Sequence, residues 1–247
     1  MRPLVRTALL IGFLADGMSW ALGTPTLPQL QRATGYCRKA ESAMKSGNLK
    51  GAREALTKAL KILPTLPAVH LGMGHIALSE KRYEDALREY EIARDSYADV
   101  ARALYALHVR DYADAQYEIV ALQDEIRNQQ RLAPVALRLN RLEAAADRLE
   151  RLDPPSRTAP EDPPAEIFFY IGNALFHLDR LREAVSAWET CIRKNREFPP
   201  AYQNLAVGYW MTGRPEAARQ IVAAADKLGF ALNADLRADL QRSLAGP

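Results

Sequence analysis

Apolar and small residues recur at three- and four-residue spacing along the chain after Gln29, and no sustained alternation of apolar and polar residues interrupts them. Such spacing keeps the apolar side chains on one face of an α-helix, whereas strict alternation is typical of a strand. The pattern therefore predicts an all-α protein. A chain of 247 residues is long enough to bury a core of its own, as one large domain or two small ones.

Two pairs of segments repeat with a period of 34 residues. Residues 49–52 and 83–86 begin similar helices, and residues 181–184 and 215–218 do the same. One period shared by two separate pairs predicts internal structural repeats. We number each of the four units from position 1 to position 34, with first residues Ala33, Pro67, Ala165 and Pro199.

The residue types within each unit predict a helical hairpin. Position 8 is Ala or Gly and position 20 is Ala in every unit, so two antiparallel helices can approach closely there, while large residues at positions 4 and 24 fill the space beside them. Gly47 and Gly213 at position 15 can end a first helix in a left-handed conformation, and Pro64 stops a second helix. One hairpin cannot bury its own apolar faces, so hairpins are expected to stack into a solenoid.

This pattern resembles the tetratricopeptide repeat, and the four units that carry the resemblance span about 136 residues. The resemblance implies a right-handed α-solenoid of helical hairpins whose concave face is lined by the first helix of each unit. It also implies a non-catalytic adaptor that binds a segment or a helix of a partner protein. The last unit matches best, through Tyr202, Leu205, Ala206, Tyr209 and Ala218.

The same resemblance places a partner-binding groove on the concave face. Aromatic side chains there are typical anchors for a bound segment, and Asn173 and Asn204 could hydrogen-bond a peptide backbone. The alternative is that the groove aromatics are buried under a neighbouring lobe or a cap helix. Chaperone-binding members hold acidic tails with a basic clamp, whose lysine and asparagine places in the first unit are here Cys37 and Glu41. The lysine place in the third unit is Phe169, so recognition of such tails is not expected. The expected groove residues are Leu71, His75, Leu78, Phe169, Asn173, Phe176, Gln203, Asn204, Val207 and Trp210.

The chain between the two repeat pairs loses the 34-residue phase. Residues 101–152 are predicted to be helical, either as degenerate repeats or as a long hairpin of helices near 112–130 and 134–152. Residues 153–164 contain five prolines in twelve positions, which predicts an extended linker between two helical lobes. The expected organisation is thus a first repeat pair at 30–100, the helical region 101–152, the linker 153–164 and a second pair at 165–247. The second pair ends in a short cap helix after Asn233.

The amino terminus has the pattern of an export signal. Arg2 and Arg6 flank the start of the apolar run 7–15, and small residues suited to cleavage follow at 21–23. Asp16 makes this run too short for a membrane span, which needs about 20 mostly apolar residues. We expect residues 1–23 to direct the protein out of the cytoplasm, to the periplasm. A retained membrane anchor and a cytoplasmic helix are the alternatives.

Charge and chemistry narrow the functional classes further. The 33 basic and 30 acidic side chains leave a formal charge of only +3, which gives no electrostatic argument for nucleic acid, a partner that requires a clustered basic patch. Two cysteines, expected far apart, exclude a disulfide scaffold and a four-cysteine zinc site. No zinc-protease motif, phosphate-binding loop or nucleophile elbow occurs, so no catalytic residue, metal ligand or cofactor is predicted. The sequence favours a protein or peptide partner, with self-association of the repeats as the alternative.

Overall fold

A computed structural model describes residues 25–127, 135–152, 154–155, 162–233 and 237–238. Within these residues the regular structure is entirely helical, as the spacing of apolar residues predicts. The export-like segment 1–23 and nearly all of the expected cap helix lie outside the described residues. The helices are α1 Leu27–Lys45, α2 Leu49–Ile62, α3 Pro67–Ser79, α4 Tyr83–Arg127, α5 Val135–Glu150, α6 Ala165–His177, α7 Leu181–Lys194, α8 Pro199–Met211 and α9 Pro215–Lys227.

The 34-residue period is present as four helical hairpins: α1–α2, α3–α4, α6–α7 and α8–α9. Local signals fix their ends. The side chain of Asn48 accepts a hydrogen bond from the Gly51 amide at 2.9 Å and begins α2, and α2 ends at Ile62 before Pro64. Pro67 and Pro199 occupy the first turn of their helices, where a missing N–H costs nothing.

All four hairpins turn through a left-handed residue at position 15. Gly47 and Gly213 have φ angles of 75° and 73°, as the sequence predicts. Lys81 and Asp179 occupy the same position in the other two units, with φ angles of 61° and 59°. The turn is therefore common to the four units, although only two of them supply the glycine that adopts it without strain.

The two repeat pairs pack directly on each other, through α4 of the second unit and α6 of the third. Leu87 and Tyr90 of α4 share one buried cluster with Ile171 of α6 and Trp188 of α7. The two repeat pairs are therefore in direct contact, although the proline-rich segment lies between them in the sequence. Because α6 takes the place of the next hairpin beside α4, the four units form one continuous solenoid, and residues 101–164 are an insertion between the second and third units.

The insertion begins as a continuation of α4, which runs for 45 residues without a break. No glycine or proline occurs from Tyr83 to Arg127, so nothing in the local sequence stops the helix at the repeat boundary. The predicted boundary between residues 100 and 101, and the helix predicted to begin near 112, both fall inside α4. The second half of α4 packs antiparallel on α5 through buried Ala115, Leu122 and Ala145.

No helix in the described part of the chain combines the length and the apolar character that crossing a membrane requires.

Candidate functional site: a cleft in the concave groove

A cleft of about 350 Å³ opens between the third and fourth units. Five of the ten residues predicted for the groove line it: Leu78, Asn173, Phe176, Asn204 and Val207. They come from α3, α6 and α8, the first helices of three successive units, so the direct contact between α4 and α6 is what completes the cleft. His177 and Trp188 provide the rest of its lining.

A hydrogen-bonded network fixes the two asparagines at the base of the cleft. The indole Nε1 of Trp188 donates to Oδ1 of Asn173 at 3.1 Å. An indole N–H can only donate, so the Asn173 atom that it meets must be the carbonyl oxygen. Nδ2 of Asn204 donates to the same oxygen at 2.7 Å. The orientation of both amides therefore follows from the one fixed donor on Trp188.

This network leaves one donor group and one acceptor unused. The Asn173 oxygen receives two hydrogen bonds, which occupy both of its lone pairs. Within the described residues, Nδ2 of Asn173 and Oδ1 of Asn204 have no protein partner. A donor beside an acceptor is the complement of a peptide group, which offers a carbonyl oxygen and an N–H. The cleft can thus bind a backbone without any charge of its own.

The walls of the cleft are apolar and aromatic. Leu78 and Phe176 are half-buried against the shared core, and the ring of Phe176 lies 5.9 Å from that of Trp188. His177 stacks on Tyr83 of α4, with ring centroids 4.5 Å apart and planes 7° apart. Among the residues that the structure describes, no Asp, Glu, Lys or Arg lines this cleft. Its chemistry therefore suits an apolar side chain flanked by backbone rather than an acidic tail.

The preceding junction of the solenoid places different residues at the same three positions. At the position of Asn173 the second unit has His75, and at the position of Trp188 it has Tyr90. At the position of Asn204 the third unit has Tyr170. The ring of His75 packs edge-on against Tyr170 at 4.3 Å and Tyr90 at 5.6 Å. Burial lowers the pKa of His75, which favours the neutral imidazole. Aromatic rings thus fill the space that remains open between the third and fourth units.

The other predicted groove residues lie outside the cleft. Leu71 packs on the shared core, and Phe169 is half-buried with its ring 5.1 Å from that of Phe198. Gln203 is half-buried, and Trp210 is 40% exposed at the end of α8. The predicted set is therefore spread along the first helices of the second, third and fourth units rather than gathered into one site.

Sequence reasoning missed Trp188 as part of the cleft because large residues at position 24 were assigned to the hairpin core. The residue is 2% exposed and does belong to the core. The sequence signal for its place in the cleft is the indole N–H, since a buried indole needs a hydrogen-bond acceptor nearby. Asn173, fifteen residues earlier, supplies that acceptor.

The described residues hold no group of three or more His, Cys, Asp and Glu side chains that could bind a metal ion. Cys37 and Cys191 are free thiols, as their separation in the sequence predicts. Burial, with a smaller contribution from the charge of Glu166, raises the pKa of Cys191 to about 11, which keeps this thiol protonated and unreactive.

Comparison with known proteins bears on the repeats. Residues 43–109 match the family model of the tetratricopeptide repeat. No curated protein matches the chain. Similar solved structures include PilF of Pseudomonas aeruginosa (20% identity, 85% of this chain and 81% of that one, TM-score 0.37). They also include a thermophilic protein with these repeats from Thermus thermophilus (18% identity, 86% and 99%, TM-score 0.37). A third is YrrB, described as having an unusual peptide-binding site (18% identity, 85% and 92%, TM-score 0.30).

The family match and the repeated hairpins together identify the fold as a solenoid of helical hairpins. The matched residues run from the end of α1 into α4, so they contain the second helix of the first unit and the whole second unit. The third and fourth units repeat the same period and the same left-handed turn, and their first helices have 13 residues, as α3 does. Over its described residues the chain is a helical solenoid, and its residues 43–109 match the tetratricopeptide repeat, a scaffold consistent with interaction between proteins.

Proposed function

We propose that this protein is a non-catalytic adaptor that binds an extended segment of a partner protein in the cleft between its third and fourth units. The unused donor of Asn173 beside the unused acceptor of Asn204 carries the proposal. These groups hydrogen-bond one peptide group of the segment, and an apolar side chain next to it enters the space among Leu78, Phe176 and Val207. Binding through the backbone gives affinity, and the apolar space selects the side chain.

The absence of charged residues from the described lining of the cleft defines the class of segment. A basic lining would favour an acidic segment, and this lining offers amides, aromatic rings and aliphatic carbons only. The preferred ligand is therefore an uncharged or apolar stretch of about three to five residues, flanked by sequence of any charge.

A displayed library of random peptides, selected against residues 25–247, tests the proposal. Bound peptides are then titrated against the protein, with tryptophan emission as the readout because Trp188 lines the cleft. Val207→Arg fills the cleft with a charged side chain and should weaken binding at least about tenfold. Gln220→Arg adds the same charge at an exposed position of α9 and should leave binding unchanged.

The proposal fails if selected peptides bind the Val207→Arg protein as tightly as the wild type while both proteins keep the same helicity by circular dichroism. It also fails if the selected peptides share a run of acidic residues and no apolar residue. Asn204→Ala removes the free acceptor together with the Nδ2 that donates to Asn173, and a drop in affinity of about three- to tenfold is expected for it.

Within the same proposal, the adaptor acts in the periplasm. Support comes from Arg2 and Arg6 before the apolar run 7–15 and the small residues at 21–23. Sequencing the amino terminus of the protein recovered from osmotically shocked host cells tests this. A chain that begins near Thr24 in the shock fluid is the expected result, and an intact amino terminus in the cytoplasmic fraction would refute export.

A further inference from the structure

The second half of α4 has an exposed apolar face that no part of the described chain covers. Tyr117 is 77% exposed and Val120 is 54% exposed, which is unusual for residues in the middle of a long helix. Tyr117 lies two positions after Ala115, and Val120 lies two positions before Leu122. Both of these neighbours are buried in the contact with α5. At 100° per residue, two positions turn a side chain by about 200°, so Tyr117 and Val120 are on the side away from α5.

The exposed face continues along the helix in alternating steps of four and three residues. Its six positions are all exposed, with small or large apolar residues in the centre and a charge toward each end. Steps of four and three keep side chains on one stripe, the spacing by which one helix packs along another. The stripe consists of Ala106, Arg110, Ala113, Tyr117, Val120 and Asp124.

The charges on this stripe are arranged symmetrically about Tyr117. Arg110 lies seven residues before Tyr117, and Asp124 lies seven residues after it. If a second copy of the helix packs antiparallel with Tyr117 beside Tyr117, each Arg110 lies beside the Asp124 of the other copy. A parallel arrangement would instead place Arg110 beside Arg110. The stripe is therefore complementary to itself in the antiparallel orientation only, as an interface with two-fold symmetry requires.

The ion-pair partners already present are compatible with this pairing. Arg110 has no ion-pair partner among the described residues. Asp124 meets only Arg127 within the described chain, at 3.2 Å, in a surface pair whose arginine and aspartate side chains are 75% and 56% exposed. Such a pair contributes little and leaves a carboxylate oxygen of Asp124 for a second cation.

We propose that α4 of one molecule packs antiparallel against α4 of a second copy through this stripe, with a two-fold axis at Tyr117. The dimer joins the two insertion hairpins and leaves the concave clefts on both solenoids open. It is independent of the proposed peptide binding, since none of the stripe residues lines the cleft.

Charge reversal in the full chain tests both the dimer and its geometry. Sedimentation equilibrium over a concentration series should show the wild type rising from the monomer mass to twice that value. Arg110→Asp and Asp124→Arg each place like charges together across the axis and should weaken dimerisation at least about tenfold. The combined variant with both substitutions restores opposite charges and should recover dimerisation.

A cysteine on the axis gives a second measurement. In a Cys37→Ser background, Tyr117→Cys should form a disulfide-linked dimer under mild oxidation, because each new thiol faces its own copy. Ala144→Cys, exposed on α5, is the matched control and should stay monomeric. A wild type that is monomeric at every concentration overturns the proposal, whether another segment or another protein covers the stripe. If all three charge variants dimerise as tightly as the wild type, the proposal is also overturned, since the interface would then lie elsewhere.

Discussion

The indole of Trp188 in α7 packs directly on Gly172 of α6, and the contact leaves no room for a side chain on the glycine. A Cβ atom added to Gly172 would lie 2.4 Å from Nε1 of Trp188. Gly74 has the same relationship to Tyr90, with 2.4 Å to the ring. The small residue at position 8 and the large residue at position 24 are therefore two halves of one packing arrangement, repeated in the second and third units.

Gly172→Ala should lower the free energy of unfolding by about 1–3 kcal/mol, because the buried indole would have to move. Urea denaturation measures this change. Gly35→Ala in α1 is the control, since nothing lies within 4 Å of its added Cβ. Alanine is the better helix former, so this control should stabilise the protein by up to about 1 kcal/mol. Equal effects of the two substitutions would contradict the packing argument.

The left-handed turn at position 15 gives a prediction of opposite sign. A non-glycine residue in this conformation costs about 1–2 kcal/mol, so Lys81→Gly should raise the midpoint of urea denaturation, by a net stabilisation of up to about 1 kcal/mol. Asp179→Gly should gain less, because aspartate tolerates the left-handed region better than lysine. A loss of stability in Lys81→Gly would show that the turn is not strained.

Asn173→Leu should destabilise the protein by about 1–3 kcal/mol, since the buried N–H of Trp188 and the amide of Asn204 lose their common acceptor. Asn173→Asp keeps an acceptor for both donors and should stay close to the wild type. Thermal unfolding followed by circular dichroism compares the three proteins. If the leucine variant is as stable as the aspartate variant, the network does not fix the cleft.

His70 ties α3 to two other elements and makes stability depend on pH. Its Nδ1 lies 2.7 Å from a carboxylate oxygen of Glu89, and its Nε2 lies 2.7 Å from the carbonyl oxygen of Pro64. Both partners only accept, so the ring is held as the doubly protonated imidazolium. Burial alone would lower the pKa of His70, but the two hydrogen bonds and the charge of Glu89 together outweigh burial and raise it.

A raised pKa stabilises the folded state while the ring is protonated. The full contribution of His70 is present below about pH 6.5, the value for an unperturbed histidine, and is lost as the pH rises through the higher folded pKa. His70→Gln should therefore cost about 1–3 kcal/mol at pH 6 and less at pH 9. Urea denaturation at both pH values measures this cost, and His177→Gln, at an exposed histidine, is the control. An equal cost of His70→Gln at the two pH values would contradict the imidazolium.

The local signals in the sequence account for most of the fold. The period of 34 residues predicts the four hairpins. Gly47, Pro64 and Gly213 predict the ends of α1, α2 and α8, because these residues act within their own turn or helix. Lys81 and Asp179 carry no such signal, since the packed hairpin imposes their conformation. The expected break near residue 100 followed from the repeat phase, although the stretch without glycine or proline indicated one continuous α4.

The site was harder to predict because it depends on packing between distant segments. The amides of Asn173 and Asn204 were expected to face a ligand, but their shared dependence on Trp188 is visible only once α7 is in place. The contact between α4 and α6 joins residues separated by the whole insertion, and no local pattern reports such a contact. With separate lobes, Leu78 would not meet Phe176 and the cleft would be incomplete.

The solenoid is continuous across the insertion only if α3 and α4 contact α6, and a nuclear Overhauser experiment on the unmodified chain detects such contacts. Stacked rings place protons of Tyr83 and His177 within range, as does the contact of His75 with Tyr170. We expect cross-peaks for both pairs, as strong as those of Phe176 with Trp188 within one unit. Cross-peaks within the third unit, with none from α3 or α4 to α6, would mean that the repeat pairs are separate lobes.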